Sequence, residues 1–332
     1  DPPMAIGLIT TPASWVQGTP ASPTWFQNVQ DTLNDLYSTL GGDRAFWGDG
    51  SDGAINVAGS TAATADAYAT SLTISGTLAV NGWFSCGTTL TINAGATFTA
   101  IGGNASGSTG GAVGSSGPHM APAGGTGGAA GAAGTSFSWP LNASVVPHAS
   151  IAAGGGGGSG NGGANLGGTG QQVAVDTRGW KRLPFRCGYG APPAAIVSVF
   201  GSAGTPFVAP YRGGGSGAGG GGAGATFSGG GGGQGGGLIF LCFKNVIVNS
   251  TGTANVSGGN GAAGGGSGAG GGGGGSGGAC ILVYNTLTIN SGALPTITAS
   301  AGSGGASGGG TGNAGVAGSA GVTTWQTFKV GA

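Results

Sequence analysis

Hydrophobic positions in this chain follow two different periods in two different places. In "SPTWFQNVQDTLNDLYSTLGG", Phe26, Val29, Leu33, Leu36 and Leu40 fall three, four, three and four residues apart. That is a heptad seam over two heptads, and it predicts an amphipathic helix. Ser22 fits the N-cap, Pro23 the first helical position and Gly41 the residue just past the end. The remaining positions are mostly Gln, Asn, Asp and Thr. A helix this short is marginal alone in water. The seam therefore predicts packing against copies of itself, with those five residues as the association face. The alternative is a helix lying on its own domain.

From Ala54 the period changes to two. "INVAGSTAATADAYATSLTISGTLAVNGWFSCGTTLTINAGATFTA" alternates Thr, Ile, Leu and Val with small residues, and Gly or Asn marks a turn every six to ten residues or so. Short, evenly spaced strands of this kind predict a β-helix-like stack or a small sandwich. Three segments repeat the pattern: "LTINAGATFTAIGGNASG" from Leu90, "VIVNSTGTANVSGGNGAAGGG" from Val246 and "LTINSGALPTITASAGSGG" from Leu287. Each reads strand, Asn, turn, second strand, glycine run. One copy buries little, so the copies are expected to stack.

Glycine runs then dominate, at 102–134, 154–170, 213–237, 258–278 and 302–321. They lack the strict every-third-residue phase and the proline of collagen, and read as unphased. Ordering a 25-residue run such as 213–237 costs on the order of 25–50 kcal/mol of backbone entropy. Side chains are too few to offset that by burial, so the backbone must bond elsewhere. Gly disfavours the α-helix and gains little in a sheet. The remaining regular form is the polyproline-II-type helix, with about three residues per turn and outward N–H and C=O groups. Runs packed as such polyglycine-II helices are the expectation; glycine loops draped over a β-core are the alternative. Two insertions carry side-chain content, 135–151 and 171–212.

Composition narrows the function. Of 332 residues, 86 are Gly and only 5% are charged, with net charge +0. The chain is 38% hydrophobic, which separates it from charged disordered tails. No apolar run is long enough to span a bilayer, and "DPPMAIGLITTPASW" does not read as a signal peptide. Cys86, Cys187, Cys242 and Cys280 form no CxxC pair and only His119 and His148 accompany them, so zinc spacing is absent. The cysteines read as small buried hydrophobes, with a disulfide between some pair left open. GxGxxG matches carry no information at this glycine content. "DGSDG" at 49–53 faintly resembles a calcium loop, but Ser60 stands where the bidentate Glu belongs, so it reads as a turn. Every Asp except Asp176 lies at or before Asp66, and there is no Glu. The chain is therefore read as a non-enzyme, with no catalytic site, cofactor or metal.

Charge placement is more telling. Arg178, Lys181, Arg182, Arg186 and Arg212, five of eight cations, lie in the 171–212 insertion, interleaved with Trp180, Phe185, Tyr189, Phe200, Phe207 and Tyr211. Basic and aromatic side chains together suit an anionic or sugar-bearing surface. Nucleic acid uses the same residue types. The bland alternative is a folded plug with an aromatic core and cations at its rim. Candidate receptor contacts are Trp139, His148, Arg178, Trp180, Lys181, Arg182 and Tyr189.

Two stretches resemble a known family. "SPTWFQNVQDTLNDL" is similar to a helix near the N-terminal part of many tailed-bacteriophage fibre proteins. "WGDGSDGAINV", with the strands after it, resembles phage tail or fibre proteins that carry GDGSDG before β-helix-like rungs. The glycine runs are similar in composition to the polyglycine-II tip adhesins of T-even-like phages, which lack such a heptad helix. The resemblance implies a homotrimeric virion protein, part of the tail or fibre and extracellular. Its expected partners are other tail proteins and a host surface glycan or outer-surface protein, with no nucleic acid and no membrane insertion. A virion decoration or connector protein with no ligand is the second class, and a bacterial surface adhesin a weaker third. The organisation expected is an attachment segment and helix at 1–44, a strand module at 45–101, and a Gly-rich region with β repeats and both insertions at 102–332.

Overall fold

The computed structural model describes residues 47–48, 50–112, 120, 123–135, 155–168, 221–222 and 225–329. The seam residues Phe26, Val29, Leu33, Leu36 and Leu40 lie outside the described residues. What is described is strand-rich, with two parallel sheets and almost no helix.

The chain alternates between the sheets. The first sheet takes the odd strands: β1 (Ala54–Val57), β3 (Ala67–Ile74), β5 (Phe84–Ile92), β7 (Leu238–Val248), β9 (Ala279–Ile289) and β11 (Gln326–Lys329), paired in that order. The second takes the short even strands: β2 (Ser60–Ala62), β4 (Thr77–Ala79), β6 (Thr97–Thr99), β8 (Thr253–Asn255) and β10 (Thr296–Thr298). Each circuit thus adds one strand to each sheet, and every pairing is parallel. All-parallel pairing differs from that of hairpin-linked sandwiches, whose strands pair antiparallel.

Identical registers stack like side chains in columns. Leu72, Leu90, Val246 and Leu287 are successive register partners, and so are Leu78, Phe98, Ala254 and Ile297 in the second sheet. The main core lies between the sheets and contains Leu72, Ile74, Leu90, Ile92, Phe98, Phe243 and Val248. A second cluster covers the opposite face of the first sheet: Trp47, Phe84, Cys86, Leu238, Phe240, Cys242, Ile281 and Val283. The first halves of β7 and β9 are therefore buried on both faces. This explains why "LIFLCF" and "ACILVY" are continuous apolar runs rather than alternating ones.

The Asn of each repeat has a clear role. It ends the long strand, and the three residues stack: Asn249 Nδ2 donates to Asn93 Oδ1 at 2.9 Å, and Asn290 Nδ2 to Asn249 Oδ1 at 2.8 Å. Residues 50–53 of the "DGSDG" stretch form a turn, closed by Gly53 N–H on the Gly50 carbonyl at 2.9 Å. The Asp52 carboxylate accepts the Tyr68 N–H at 2.8 Å.

Candidate functional surfaces

The glycine runs fold as hairpins leaving the strand stack. After β8 and β10 one arm runs outward and the other returns into the next odd strand, whereas β2–β3 and β4–β5 are joined by short connections. Residues 256–265 go out and 269–278 return; residues 299–308 go out and 312–322 return. The arms bond to one another with a three-residue period. Gly258, Gly261 and Gly264 donate to the carbonyls of Ser300, Ser303 and Ala306, while Gly259, Ala262 and Gly265 donate to Gln234, Gly231 and Ser228. In the 269–278 arm, Gly271, Gly274 and Gly277 donate to Asn313, Val316 and Ser319, and Gly272, Gly275 and Gly278 to Ala262, Gly259 and Val256. The remaining third of that arm receives bonds, with Gly230 and Gly233 donating to Gly270 and Gly273. The bonds thus recur every third residue, with successive positions bonded to different neighbouring arms. Positive φ is kept for tips such as Gly268 (78°) and Gly309 (93°).

Burial explains the composition of each arm. Arms 229–237 and 269–278 are buried from end to end. A Cβ on Gly272 would strike the Gly231 carbonyl, and one on Gly233 the Gly259 carbonyl. The outer arm differs: Gly312, Gly315, Gly318 and Gly321 each abut another backbone, whereas Ala314, Ala317 and Ala320 are exposed. The unphased reading of the runs is therefore corrected for 312–321, where one face in three must be glycine and the solvent side tolerates side chains. Gln234 is the one large side chain in 229–237. It is 2% exposed, and its Oε1 accepts the Gly103 N–H at 3.0 Å. Its signal in the sequence is its isolation among eight glycines.

All seven candidate contact residues, Trp139, His148, Arg178, Trp180, Lys181, Arg182 and Tyr189, lie outside the described residues. What the fold does define is the ground from which their segments depart. Thr135, just before 136–154, is tied to Thr126 by its N–H (3.0 Å) and by the two hydroxyls (3.0 Å). Gly155, just after that segment, donates to Gly274 at 2.8 Å. Gly168, just before 169–220, accepts from Gly157 at 2.9 Å, and Gly221, just after it, accepts from Gly128 at 2.9 Å. Two further bonds, Gly134 N–H to Leu166 and Gly222 N–H to Gly158, join these pieces to one another. All four stems thus share one hydrogen-bonded network of the glycine arms.

The outward face of the second sheet is the other ordered surface. Ser60, Thr77, Thr97, Thr253 and Thr296 form one register column, and the Thr97 and Thr253 hydroxyls are 3.1 Å apart. The face is uncharged and serves stacking. Cys86, Cys242 and Cys280 are all fully buried, as expected of small hydrophobes, and burial pushes the Cys280 thiol far above its ordinary range. Cys187 lies outside the described residues. Among the described residues there is no cluster of three His, Cys, Asp or Glu that could hold a metal, and no helix long and apolar enough to cross a membrane. In the comparisons with known proteins, no family model, no curated protein and no solved structure matches this chain.

Proposed function

We propose that this chain is a virion protein of a tailed bacteriophage, a tail fibre or spike that attaches the particle to a host surface. In this reading the strand stack is a β-helix and the glycine arms are a polyglycine-II bundle. The helix at 24–40 joins three copies, and the protein works outside the cell beside other tail proteins. Its ligand is a host surface glycan or outer-surface protein, met by the insertions and not by the scaffold. The chain is read as a binding protein, not an enzyme.

The observation that carries this is the relation between scaffold and insertions. β5 pairs with β7 over eight register partners, from Phe84↔Phe240 to Ile92↔Val248, although residues 93–237 intervene. The stack runs on as though nothing had been inserted, and the stems of both insertions sit in one network of backbone bonds. A rigid support carrying replaceable loops is a common way to build a binding surface. The glycine arms themselves offer few side chains with which to read a ligand. Arg, Lys and Trp in 171–212 supply the charge and stacking that glycan recognition uses.

The test is a particle carrying Trp180→Ala, Lys181→Ala and Arg182→Ala together. Assembly is expected to be normal and adsorption to host cells to fall at least tenfold. Assembled particles that adsorb at the parental rate would leave the non-binding virion component as the better description.

A further inference from the structure

We infer that Asn161 is a site of spontaneous modification, where the side-chain amide is lost to the following glycine nitrogen and a carboxylate appears at the tip of a glycine arm. The reaction needs an asparagine whose successor can bring its backbone nitrogen onto the side-chain carbonyl carbon. Glycine, with no Cβ, permits that approach most readily. The chain holds three Asn–Gly pairs: Asn81–Gly82, Asn161–Gly162 and Asn260–Gly261. They differ in what holds the peptide that joins each pair.

Asn260–Gly261 is locked. Its Oδ1 accepts the Ser303 N–H at 2.9 Å and the Ser303 hydroxyl at 3.0 Å. In the joining peptide, the Asn260 carbonyl accepts the Ala105 N–H and the Gly261 N–H donates to the Ser303 carbonyl, both at 2.9 Å. The nitrogen that would attack is already bonded, and so is the group it would attack. Asn81–Gly82 is held by its turn. The two residues stand at φ 48° and 78° between β4 and β5, closed by the Trp83 N–H on the Val80 carbonyl at 2.9 Å. Turning that peptide displaces the start of β5, and Gly82 is buried from water.

Asn161–Gly162 has neither restraint. Asn161 and Asn260 are both exposed, so exposure does not separate them. The Asn161 side-chain amide has no hydrogen-bond partner among the described residues. Asn161 opens a single 3₁₀ turn, Asn161–Gly163, whose cap Gly160 supplies no side-chain bond. The Gly162 N–H thus falls among the first-turn donors that a helical turn leaves unpaired. The joining peptide is held by one bond, from the Ala164 N–H to the Asn161 carbonyl at 3.2 Å. The Asn161 N–H stays fixed on the Gly268 carbonyl at 2.6 Å, so the arm remains anchored while the peptide beyond it turns.

The Gly162 nitrogen attacks Asn161 Cγ and gives its proton to solvent. The Cγ–Nδ2 bond breaks and Nδ2 leaves as ammonia. One water then opens the cyclic imide at either carbonyl, giving aspartate or isoaspartate. The balance is asparagine plus water to an acid plus ammonia, with no oxidant or reductant. The described parts of the glycine arms contain no Asp, Lys or Arg, so the new carboxylate is the only charged side chain there.

The experiment incubates the full chain at neutral pH, folded and in urea. It then digests the chain with pepsin in acid and maps the peptides by mass, using fragmentation that separates isoaspartate from aspartate. The urea rate of each pair is its reference. In the folded chain Asn161 is expected to convert within a few fold of its reference. Asn81 and Asn260 are expected to convert at least about tenfold more slowly than theirs, because each must wait for local opening. Asn161→Ser is expected to remove the first acidic form seen on isoelectric focusing of the aged protein. Folding that protects Asn161 as much as Asn260, or an early acidic form that persists in Asn161→Ser, would overturn the assignment. The parent alone gives the primary reading, so the test does not depend on how the variant folds.

Discussion

Asn249 donates from Nδ2 to the Oδ1 of Asn93, a residue 156 positions earlier in the chain. The same Asn249 accepts from Asn290 through its own Oδ1. It is the middle of a ladder, while Asn290 makes only one of the two bonds. A net hydrogen bond contributes about 0.5–1.5 kcal/mol, and exposure places these near the lower end. Asn249→Ala is therefore expected to cost about 1–2 kcal/mol and Asn290→Ala roughly half as much, read as shifts in urea unfolding at constant slope. Equal costs for the two would argue that the ladder is not what aligns the circuits.

The glycine arms make a sharper contrast. Gly272 faces the Gly231 carbonyl with no room for a Cβ, and Ala317 on the outer arm is exposed. Gly272→Val is expected to abolish the bonds that Gly272 shares with its neighbours and to remove more than about 3 kcal/mol, a loss of the size that overpacking of a rigid interior produces. Ala317→Val is expected to change stability by less than about 0.5 kcal/mol, as surface substitutions usually do. The comparison is made by thermal unfolding followed by circular dichroism. Similar behaviour of the two variants would mean that the arms are not close-packed.

Much of this was legible in the residues, and the parts that were not share a cause. The strand–Asn–turn repeat could be read because a stacked ladder demands the same residue in each circuit, as at Asn93, Asn249 and Asn290. The parallel pairing could not, since the partner of Cys86 is Cys242 and nothing local announces so distant a neighbour. The folding of the runs into hairpins was hidden because a tip such as Gly268 is one glycine among many. The three-residue phase of 312–321 went unread, because it gains meaning only once it is known which face of the outer arm abuts another backbone. The candidate contacts from Trp139 to Tyr189 rest on residue type alone, because their segments have no period to read.

The seam at Phe26, Val29, Leu33, Leu36 and Leu40 makes a prediction of its own. If the proposed helix at 24–40 forms, burial against identical helices would be the main source of its stability. Leu33→Asp would bury one carboxylate per copy in the seam, with no partner to neutralise it. Light scattering of the parent is expected to give a trimer and of the variant a monomer or an aggregate. A variant that remains trimeric would move the association face elsewhere.

The last prediction separates scaffold from insertion. Thr135 is held by Thr126, Gly155 by Gly274, Gly168 by Gly157 and Gly221 by Gly128, all through bonds among described residues. The backbone entropy of closing a flexible loop grows only slowly with its length. Replacing 171–212 by a short Gly/Ser linker therefore leaves every one of those bonds in place. The shortened protein is expected to keep the far-ultraviolet signal of the parent and to unfold within about 1 kcal/mol of it, since doubling or halving a loop changes closure by about 0.6 kcal/mol. Adsorption to host cells, in contrast, is expected to be lost. If the shortened chain unfolds at much lower denaturant, the insertion is part of the core, with its aromatics packed inside and its cations at the rim. If it folds normally and still supports adsorption, recognition resides elsewhere, and 136–154 becomes the segment to exchange next.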